Sequence, residues 1–176
     1  GDFLDKWENE DYFGYDLDKA KEYLEKSGYD VSKPLTLLTQ NTAEYSSIAQ
    51  MVAVFLQQIG LQVDIQILET AQFNEQVKDP DAWDIMIAHN ASYNLIISAW
   101  KSALDKRNYA WGGTRNFIFD DKLQNLVLAA NAIDSTDEDL DAVHEYLKDN
   151  AYIYTLLNTE NGVVYNSKKI ESIHLG

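Results

Sequence analysis

The stretch IAQMVAVFLQQIGLQVDIQI at residues 48–67 determines how this chain folds. In its first half, apolar residues recur at the three- and four-residue spacing of a helix with one buried face. They are Ile48, Met51, Val52, Phe55, Leu56 and Ile59. Gly60 ends this pattern, and apolar residues then alternate with polar ones as far as Ile67, which is the period of a strand. We predict a helix over Ile48–Ile59 that packs Met51, Phe55 and Ile59 on a sheet. With a fully buried ring, Phe55→Ala would cost about 3–5 kcal/mol.

Apolar runs on both sides of this stretch extend the pattern to a βαβ unit. Leu35–Thr39 is a short apolar and β-branched run that predicts a strand before the helix. Two strands joined by such a helix lie parallel, and the crossover is almost always right-handed. Trp83–Ala88 is mostly apolar and predicts a third, more buried strand. The predicted fold class is therefore α/β, with a mixed sheet and flanking helices.

Further elements are expected on either side of this unit. Asp16 is predicted to cap the start of a helix, and Gly28 is predicted to end that helix in the left-handed conformation. The other expected elements are a short helix near 71–78, a helix near 95–104, a helix at 123–130, a helix capped by Ser135 or Thr136, and strands at Tyr152–Leu157 and Val163–Tyr165.

Composition excludes several classes of function. The 176 residues include 14 Lys and Arg against 29 Asp and Glu, which gives a net charge of −15. A surface this acidic repels phosphate backbones and anionic lipids, so we predict no binding to nucleic acid or to membrane surfaces. Cysteine is absent, which excludes thiol catalysis and disulfides. No apolar run of about 18 residues is present to form a transmembrane helix.

No catalytic or metal-binding pattern is found. The chain has no Gly-x-Ser-x-Gly turn, and its three histidines are scattered; we place His144 on the solvated surface of a helix. Asp137, Asp139 and Asp141 imitate the start of a calcium loop, but the positions that need Gly and Glu hold Ala142 and Lys148. Acidic residues in a first helical turn offset the helix dipole, which explains this run without a metal. We predict no metal and no cofactor.

Residues 89–119 are the expected binding region. They follow the third strand and are rich in Asn, Ser, Tyr, Trp and Gly, and loops at strand ends often carry function. Their large aromatic residues have two interpretations, a small core under a long loop or the wall of a ligand site. These residues are Tyr93, Trp100, Tyr109 and Trp111.

The order of these parts resembles one protein family. The first matching stretch is Tyr15-Asp16-Leu17-Asp18-Lys19-Ala20-Lys21, with Gly28-Tyr29 after it. It is similar to a stretch of the bacterial extracellular solute-binding proteins of the oligopeptide and dipeptide type. Three later parts resemble the same family in the same order. They are the run at Ile48–Ile65, Phe73 with Trp83-Asp84-Ile85, and the helix entry from Asn116 to Ala129. The resemblance covers roughly residues 15–175.

The resemblance implies a solute-binding component of an ABC importer. In that family two lobes close over a peptide or another solute, and the matched part is the distal lobe of a type II periplasmic-binding-protein-like clamp. Residues 1–14 are acidic and aromatic without a clear period, and we predict that they form a connector. The resemblance implies the distal lobe at 15–168 and the return towards a proximal lobe at 169–176. It also implies a non-enzymatic monomer that delivers solute to ABC permease subunits from the extracellular side of the cytoplasmic membrane, in the periplasm or anchored as a lipoprotein.

The resemblance also indicates a ligand-binding loop. Many peptide binders of the family carry a Gly-Trp-x-Ala-Asp-Tyr-like motif after the third strand, whose Asp holds the ammonium group of the peptide. In this chain the corresponding stretch after the third strand is Ala88-His89-Asn90-Ala91-Ser92-Tyr93-Asn94, with Ser92 in place of the Asp. A hydroxyl accepts a hydrogen bond but lacks the charge that strengthens it. The predicted ligand-binding residues are His89, Asn90, Ser92, Tyr93, Asn94, Trp111, Arg115 and Asn116, with Arg115 a candidate partner for a carboxylate.

Two other functions stay open at this point. A cytoplasmic effector-sensing domain of a regulator could use a similar α/β lobe, and a helix-turn-helix encoded upstream would favour it. A small α/β enzyme is the second alternative, which a measurement of turnover would detect.

Overall fold

The computed structural model describes residues 7, 14–88, 104, 120–157, 166 and 168–169. We number the elements within this described part. They are α1 (Leu17–Ser27), β1 (Leu35–Gln40), α2 (Ala43–Gln58), β2 (Val63–Leu68), α3 (Thr70–Gln76), β3 (Ile85–Ile87), α4 (Asp121–Ala130) and α5 (Asp137–Asn150).

The three described strands form one parallel sheet in the order β2-β1-β3. The central strand β1 carries Leu37, Leu38 and Thr39, which are fully buried because successive side chains point to opposite faces and both faces are covered. On one face Leu37 packs with Ala49 of α2 and Ile87. On the other, Leu38 packs with Phe73 of α3 and Val77. The predicted α/β fold class is confirmed.

Helix α2 forms where it was predicted, but the prediction of its buried face was wrong. Met51 is 53% exposed and Phe55 is 47% exposed, whereas Ala49 and Ala53 are buried. The buried face is thus rotated by about one residue from the predicted stripe, and Ile48 and Val52 lie at its margin. Small alanine side chains let the helix approach the sheet closely, and the bulkier Phe55 ring instead meets the ring of Tyr15 edge-on at 5.9 Å.

The helix ends follow local capping chemistry. Asp16 accepts a hydrogen bond of 2.9 Å from the amide of Lys19 at the start of α1, and Gly28 ends this helix with a φ of 68°. Thr42 caps α2 through the amide of Tyr45. Asp16 and Gly28 confirm the sequence-based prediction.

Helices α4 and α5 pack on each other around a second apolar cluster. Its buried members are Leu104, Leu123, Val127, Ala130 and Val143. At the start of α5, the Asp139 carboxylate accepts hydrogen bonds from the backbone amide and the hydroxyl of Thr136. This capping gives one acid of the run at 137–141 a structural role.

Two other expectations were wrong. Residues 152–157 were predicted to be a strand, but they form no ladder with any described strand. His144 was placed on a solvated helix surface, but it is half-buried and stacks on the ring of Trp7, with the ring centroids 3.9 Å apart. The predicted elements at 95–104 and 163–165 lie outside the described residues, except for Leu104.

None of the helices in the described ranges is long and apolar enough to cross a membrane.

Candidate functional site

The carboxyl ends of the three strands define the candidate site. Because β1, β2 and β3 are parallel, their last residues Gln40, Leu68 and Ile87 lie at one edge of the sheet. In open α/β sheets ligands bind outside this carboxyl edge, where the connecting loops leave the strands. The chain passes this edge at Ala88 and continues directly into the predicted binding loop at His89.

Polar groups join the ends of β1 and β2. The Asn41 side-chain amide donates a hydrogen bond of 2.6 Å to Glu69 Oε1, and the Asn41 backbone amide donates one of 2.7 Å to the Leu68 carbonyl. Asn41, Thr42 and Glu69 are all exposed. The edge therefore presents an amide, a hydroxyl and a carboxylate whose positions are fixed by strand ends and helix starts.

Hydrogen bonds from β1 also hold β3 in place. Thr39 is fully buried, and its hydroxyl donates to the Ile87 carbonyl at 3.1 Å. At the other end of β3, Asp84 accepts a bond of 2.7 Å from the Thr36 amide and donates its own amide to the Thr36 carbonyl at 3.0 Å. Both ends of β3 are thus tied to β1 by hydrogen bonds that involve side chains.

The predicted ligand-binding residues lie outside the described part of the chain. They are His89, Asn90, Ser92, Tyr93, Asn94, Trp111, Arg115 and Asn116. Their role stays a prediction. The structure adds Asn41, Thr42 and Glu69 to the candidate site. A signal for them was present in the sequence, since Asn41 and Thr42 directly follow one predicted strand and Glu69 lies just beyond another.

Asp120 forms a second polar cluster, just after the aromatic region. One carboxylate oxygen caps α4 through the amides of Lys122 and Leu123, at 2.8 and 3.1 Å. The other accepts hydrogen bonds from the hydroxyls of Tyr146 and Tyr152, at 2.7 and 2.8 Å. These two phenols and the Leu123 amide lower the pKa of Asp120. The Asp120 carboxylate in turn raises the pKa of Tyr146 to about 12, and it also raises the pKa of Tyr152.

The described residues offer polar binding groups rather than a metal centre. Among residues 14–88 and 120–157, no cluster of three or more His, Asp or Glu side chains is arranged to hold a metal ion. The groups described at the carboxyl edge are an amide, a hydroxyl and one carboxylate, that of Glu69, whose Oε1 accepts a hydrogen bond from the Asn41 amide.

A groove of about 450 Å³ lies at the other end of the sheet. The C-terminal ends of α1 and α2 form it, with Leu24, Tyr29, Val31 and Ile59 among its lining residues. These residues lead into the amino ends of β1 and β2, so the groove is separate from the carboxyl edge.

Residues 2–115 match the family described as bacterial extracellular solute-binding proteins, family 5 Middle. No curated protein matches the sequence.

Solved structures of similar fold agree with this match. The ABC transporter substrate binding protein CtaP from Listeria monocytogenes superposes with a TM-score of 0.63 at 21% identity, over 82% of this chain and 32% of that protein. DppA from Helicobacter pylori, solved with the peptide STSA, gives 0.62 at 20% identity, over 78% and 28%. The Escherichia coli murein tripeptide binding protein MppA gives 0.60 at 22% identity, over 77% and 27%. The chain thus spans about a third of the length of these proteins or less.

Proposed function

The chain belongs to family 5 of the bacterial extracellular solute-binding proteins, and we propose that it forms one lobe of a longer protein that captures a solute for an ABC importer. Proteins of this family bind solutes outside the cytoplasm and are not enzymes. The observation that carries the proposal is the family match over residues 2–115, which includes all three strands and the predicted binding loop up to Arg115.

The proposed mechanism is closure of two lobes over the solute. One wall of the site is the carboxyl edge of the sheet, with Asn41 and Glu69, together with the loop that starts at His89. A second lobe, beyond this chain, supplies the opposite wall. Solute that touches both walls stabilises the closed form because it binds that form more tightly than the open one. The hydrogen bonds of Thr39 and Asp84 suit this role, since they keep the wall rigid.

The proposed solute is a peptide or another small polar molecule. Proteins of similar fold were solved with the peptide STSA and with a nonapeptide, and another was solved with nickel and histidine. From the resemblance of Ala88–Asn94 to the binding loop of the family, we infer that Ser92 takes the place of the aspartate that holds the peptide ammonium in many peptide binders. A buried ammonium without a carboxylate partner carries a desolvation cost that one hydroxyl does not offset. The solute is therefore proposed to lack a free amine or to hold it elsewhere in the site.

The proposed partners and location follow from the family. The solute passes to ABC permease subunits, and the protein acts as a monomer on the extracellular side of the cytoplasmic membrane, in the periplasm or as a lipid-anchored protein. Domain boundaries at residues 14 and 168 and contacts by Trp111, Arg115 and Asn116 belong to the same proposal.

Native mass spectrometry of the full-length protein, purified from its own host, tests this function. We expect a non-covalent complex with one small solute that mild denaturation releases unchanged. A chemically altered product on prolonged incubation would instead favour the enzyme alternative. Full-length protein that retains no solute and binds none from a peptide mixture would contradict the proposal.

A further inference from the structure

The Glu69 carboxylate is held at the carboxyl edge of the sheet by the neighbouring strand end. Glu69 directly follows β2, its side chain is exposed, and its Oε1 accepts a hydrogen bond of 2.6 Å from the Asn41 side-chain amide. Asn41 directly follows β1, and its backbone amide donates to the Leu68 carbonyl at 2.7 Å. One carboxylate oxygen is therefore fixed in place, and no hydrogen bond between described residues engages the other, Oε2.

No structural task within the described part of the chain accounts for this carboxylate. Glu69 is the residue before α3, but its side chain accepts no amide of that helix. It forms no ion pair with any described residue, whereas Glu75 on the same helix pairs with Lys78 at 2.7 Å. The bond from Asn41 comes from a neutral amide, so it orients the Glu69 carboxylate without compensating its negative charge.

The unit around Glu69 carries negative charge only. Residues 34–77, which include β1, α2, β2 and α3, contain no Lys, Arg or His. Their acidic residues are Glu44, Asp64, Glu69 and Glu75. Glu44 lies in the first turn of α2, which also begins at the carboxyl edge. The whole chain has a net charge of −15, and a surface of one sign concentrates solutes of the opposite sign. This edge therefore favours a positively charged group.

An organic cation fits this edge better than a metal ion does. A metal ion requires several ligands, and residues 14–88 and 120–157 contain no group of three His, Asp or Glu side chains that could hold one. An ammonium or a guanidinium requires only a hydrogen-bond acceptor, and a carboxylate is the acceptor that such groups bind most strongly. Of the roughly four lone-pair positions on a carboxylate, Asn41 occupies one.

We propose that Glu69 is a specificity-determining residue that binds a cationic side chain of the solute, an ammonium like that of lysine or a guanidinium like that of arginine. Asn41 is the positioning residue that orients the carboxylate. The inference rests on the proposed function, since it takes the carboxyl edge as one wall of the solute site. The cation donates hydrogen bonds to the Glu69 carboxylate, and closure of the lobes strengthens them because it removes competing water.

Binding of matched peptides to the full-length protein tests this role. The probes are N-acetylated tetra-alanine peptides in which one residue, at each position in turn, is lysine or norleucine. Norleucine keeps the four-carbon side chain and lacks the ammonium, and the acetyl group removes the amine of the peptide itself. We expect the best lysine peptide to bind the wild type about tenfold more tightly than its norleucine counterpart, a difference of about 1.4 kcal/mol.

Glu69→Gln removes the charge that the proposal requires. The variant keeps the shape of an exposed side chain and an oxygen that accepts the Asn41 bond, so the fold is expected to persist. Glu75→Gln is the matched control, because it removes the same charge near the other end of α3. We expect the preference for lysine to disappear in Glu69→Gln and to stay near tenfold in Glu75→Gln. Equal loss of the preference in both variants, or in neither, would overturn the proposal.

Asn41→Ala tests the positioning role of the amide. The variant keeps the backbone bond to the Leu68 carbonyl and removes the donor to Glu69. We expect the preference for lysine to fall to about threefold, as the loss of one hydrogen bond would produce, while norleucine peptides bind as they do to the wild type. Loss of affinity for both kinds of peptide by the same factor would show a structural role alone and would refute the positioning role.

The same titrations distinguish failure of this inference from failure of the proposed function. Wild-type protein that binds lysine and norleucine peptides equally tightly would overturn the role of Glu69 and leave solute capture intact. Wild-type protein that binds none of these peptides would overturn the role of Glu69 and would also count against the proposed peptide ligand.

Discussion

At the scale of single residues, Asp120 connects three parts of the chain through one carboxylate. It caps α4 with one oxygen and accepts the Tyr146 and Tyr152 hydroxyls with the other. These hydrogen bonds favour the ionised form, so they lower the pKa of Asp120 below the ordinary value of 3.8. A carboxyl whose pKa is lower in the folded state stabilises the fold above the unfolded value, and this stability is lost as the pH falls through the folded value.

Asp120→Asn tests this coupling by thermal unfolding at several pH values. We expect the variant to unfold at a lower temperature than wild type at pH 7, and this difference to shrink as the pH falls below 3.8. Asp121→Asn is the matched control, because it removes a neighbouring carboxylate that receives neither phenol. A difference between wild type and Asp120→Asn that is the same at pH 7 and pH 3 would contradict the account.

Ser92→Asp tests the ligand class in the full-length protein. With a carboxylate restored, a peptide ammonium gains a charge-assisted hydrogen bond, so binding of free-amine peptides is expected to improve by about 1–3 kcal/mol. N-acetylation of the peptide is expected to change wild-type affinity little and to weaken binding to the variant. Calorimetry with a peptide and its acetylated form measures both. A hundredfold loss on acetylation in the wild type, or no effect of Ser92→Asp, would refute the role given to Ser92.

Local chemistry explains which residue roles the sequence could predict. Asp16 and Gly28 were identified correctly because a cap involves neighbours within four positions. The contacts of Asp120 with Tyr146 and Tyr152 join residues 26 and 32 positions apart, and no local pattern marks such a pair. The stacking of His144 on Trp7 was missed for the same reason.

At the scale of elements, α2 shows how apolar residues on two faces mislead a prediction of burial. The spacing predicted the helix correctly, and the largest side chains were taken to be the buried ones. The structure instead buries Ala49 and Ala53, and places Met51 and Phe55 on the outer side. Close approach of a helix to a sheet favours small side chains at the contact, a preference that periodicity does not reveal.

Substitutions at two adjacent positions of α2 distinguish the buried face from the exposed one. Ala53 is 4% exposed, so Ala53→Leu forces extra volume between the helix and the sheet and is expected to cost about 1–3 kcal/mol. Val54 is 53% exposed, and Val54→Leu is expected to change stability by no more than about 0.5 kcal/mol. Urea unfolding of the two variants measures the difference. Equal destabilisation would contradict the observed orientation of the helix.

The half-exposed ring of Phe55 lowers the cost expected for its removal. Burial of about half the ring gives a cost of about 1–1.5 kcal/mol for Phe55→Ala, in place of the 3–5 kcal/mol expected for full burial. Part of this cost comes from the edge-on contact with Tyr15. A loss above about 3 kcal/mol in urea unfolding would show that the ring is buried after all.

The strands β1, β2 and β3 form where apolar runs or alternation predicted them, and each lies beside a partner strand. β1 and β2 pair along their whole length, from Leu35 with Val63 to Gln40 with Leu68. Residues 152–157 have an equally apolar composition but pair with no described strand. The composition of residues 152–157 favours a strand. Whether a strand forms depends on a neighbouring strand that pairs with it, and the sequence of the segment does not show whether such a strand is present.

At the scale of the whole molecule, the proposed function gives this chain one wall of a binding site. The sheet presents its carboxyl edge with Asn41, Glu69 and the exit to His89, and the solved proteins of similar fold are about three times as long. In a clamp the contacts with solute are divided between two lobes. A lobe by itself is therefore expected to keep only part of the binding free energy, which for a micromolar ligand is about 8 kcal/mol in all.

The most direct test is a calorimetric comparison of the full-length protein with the isolated 176-residue chain, both titrated with the solute that copurifies with the full-length protein. We expect the full-length protein to bind at about micromolar concentration or more tightly, and the isolated chain to bind in the millimolar range or not at all. Submicromolar binding by the isolated chain would contradict the division of the site between two lobes.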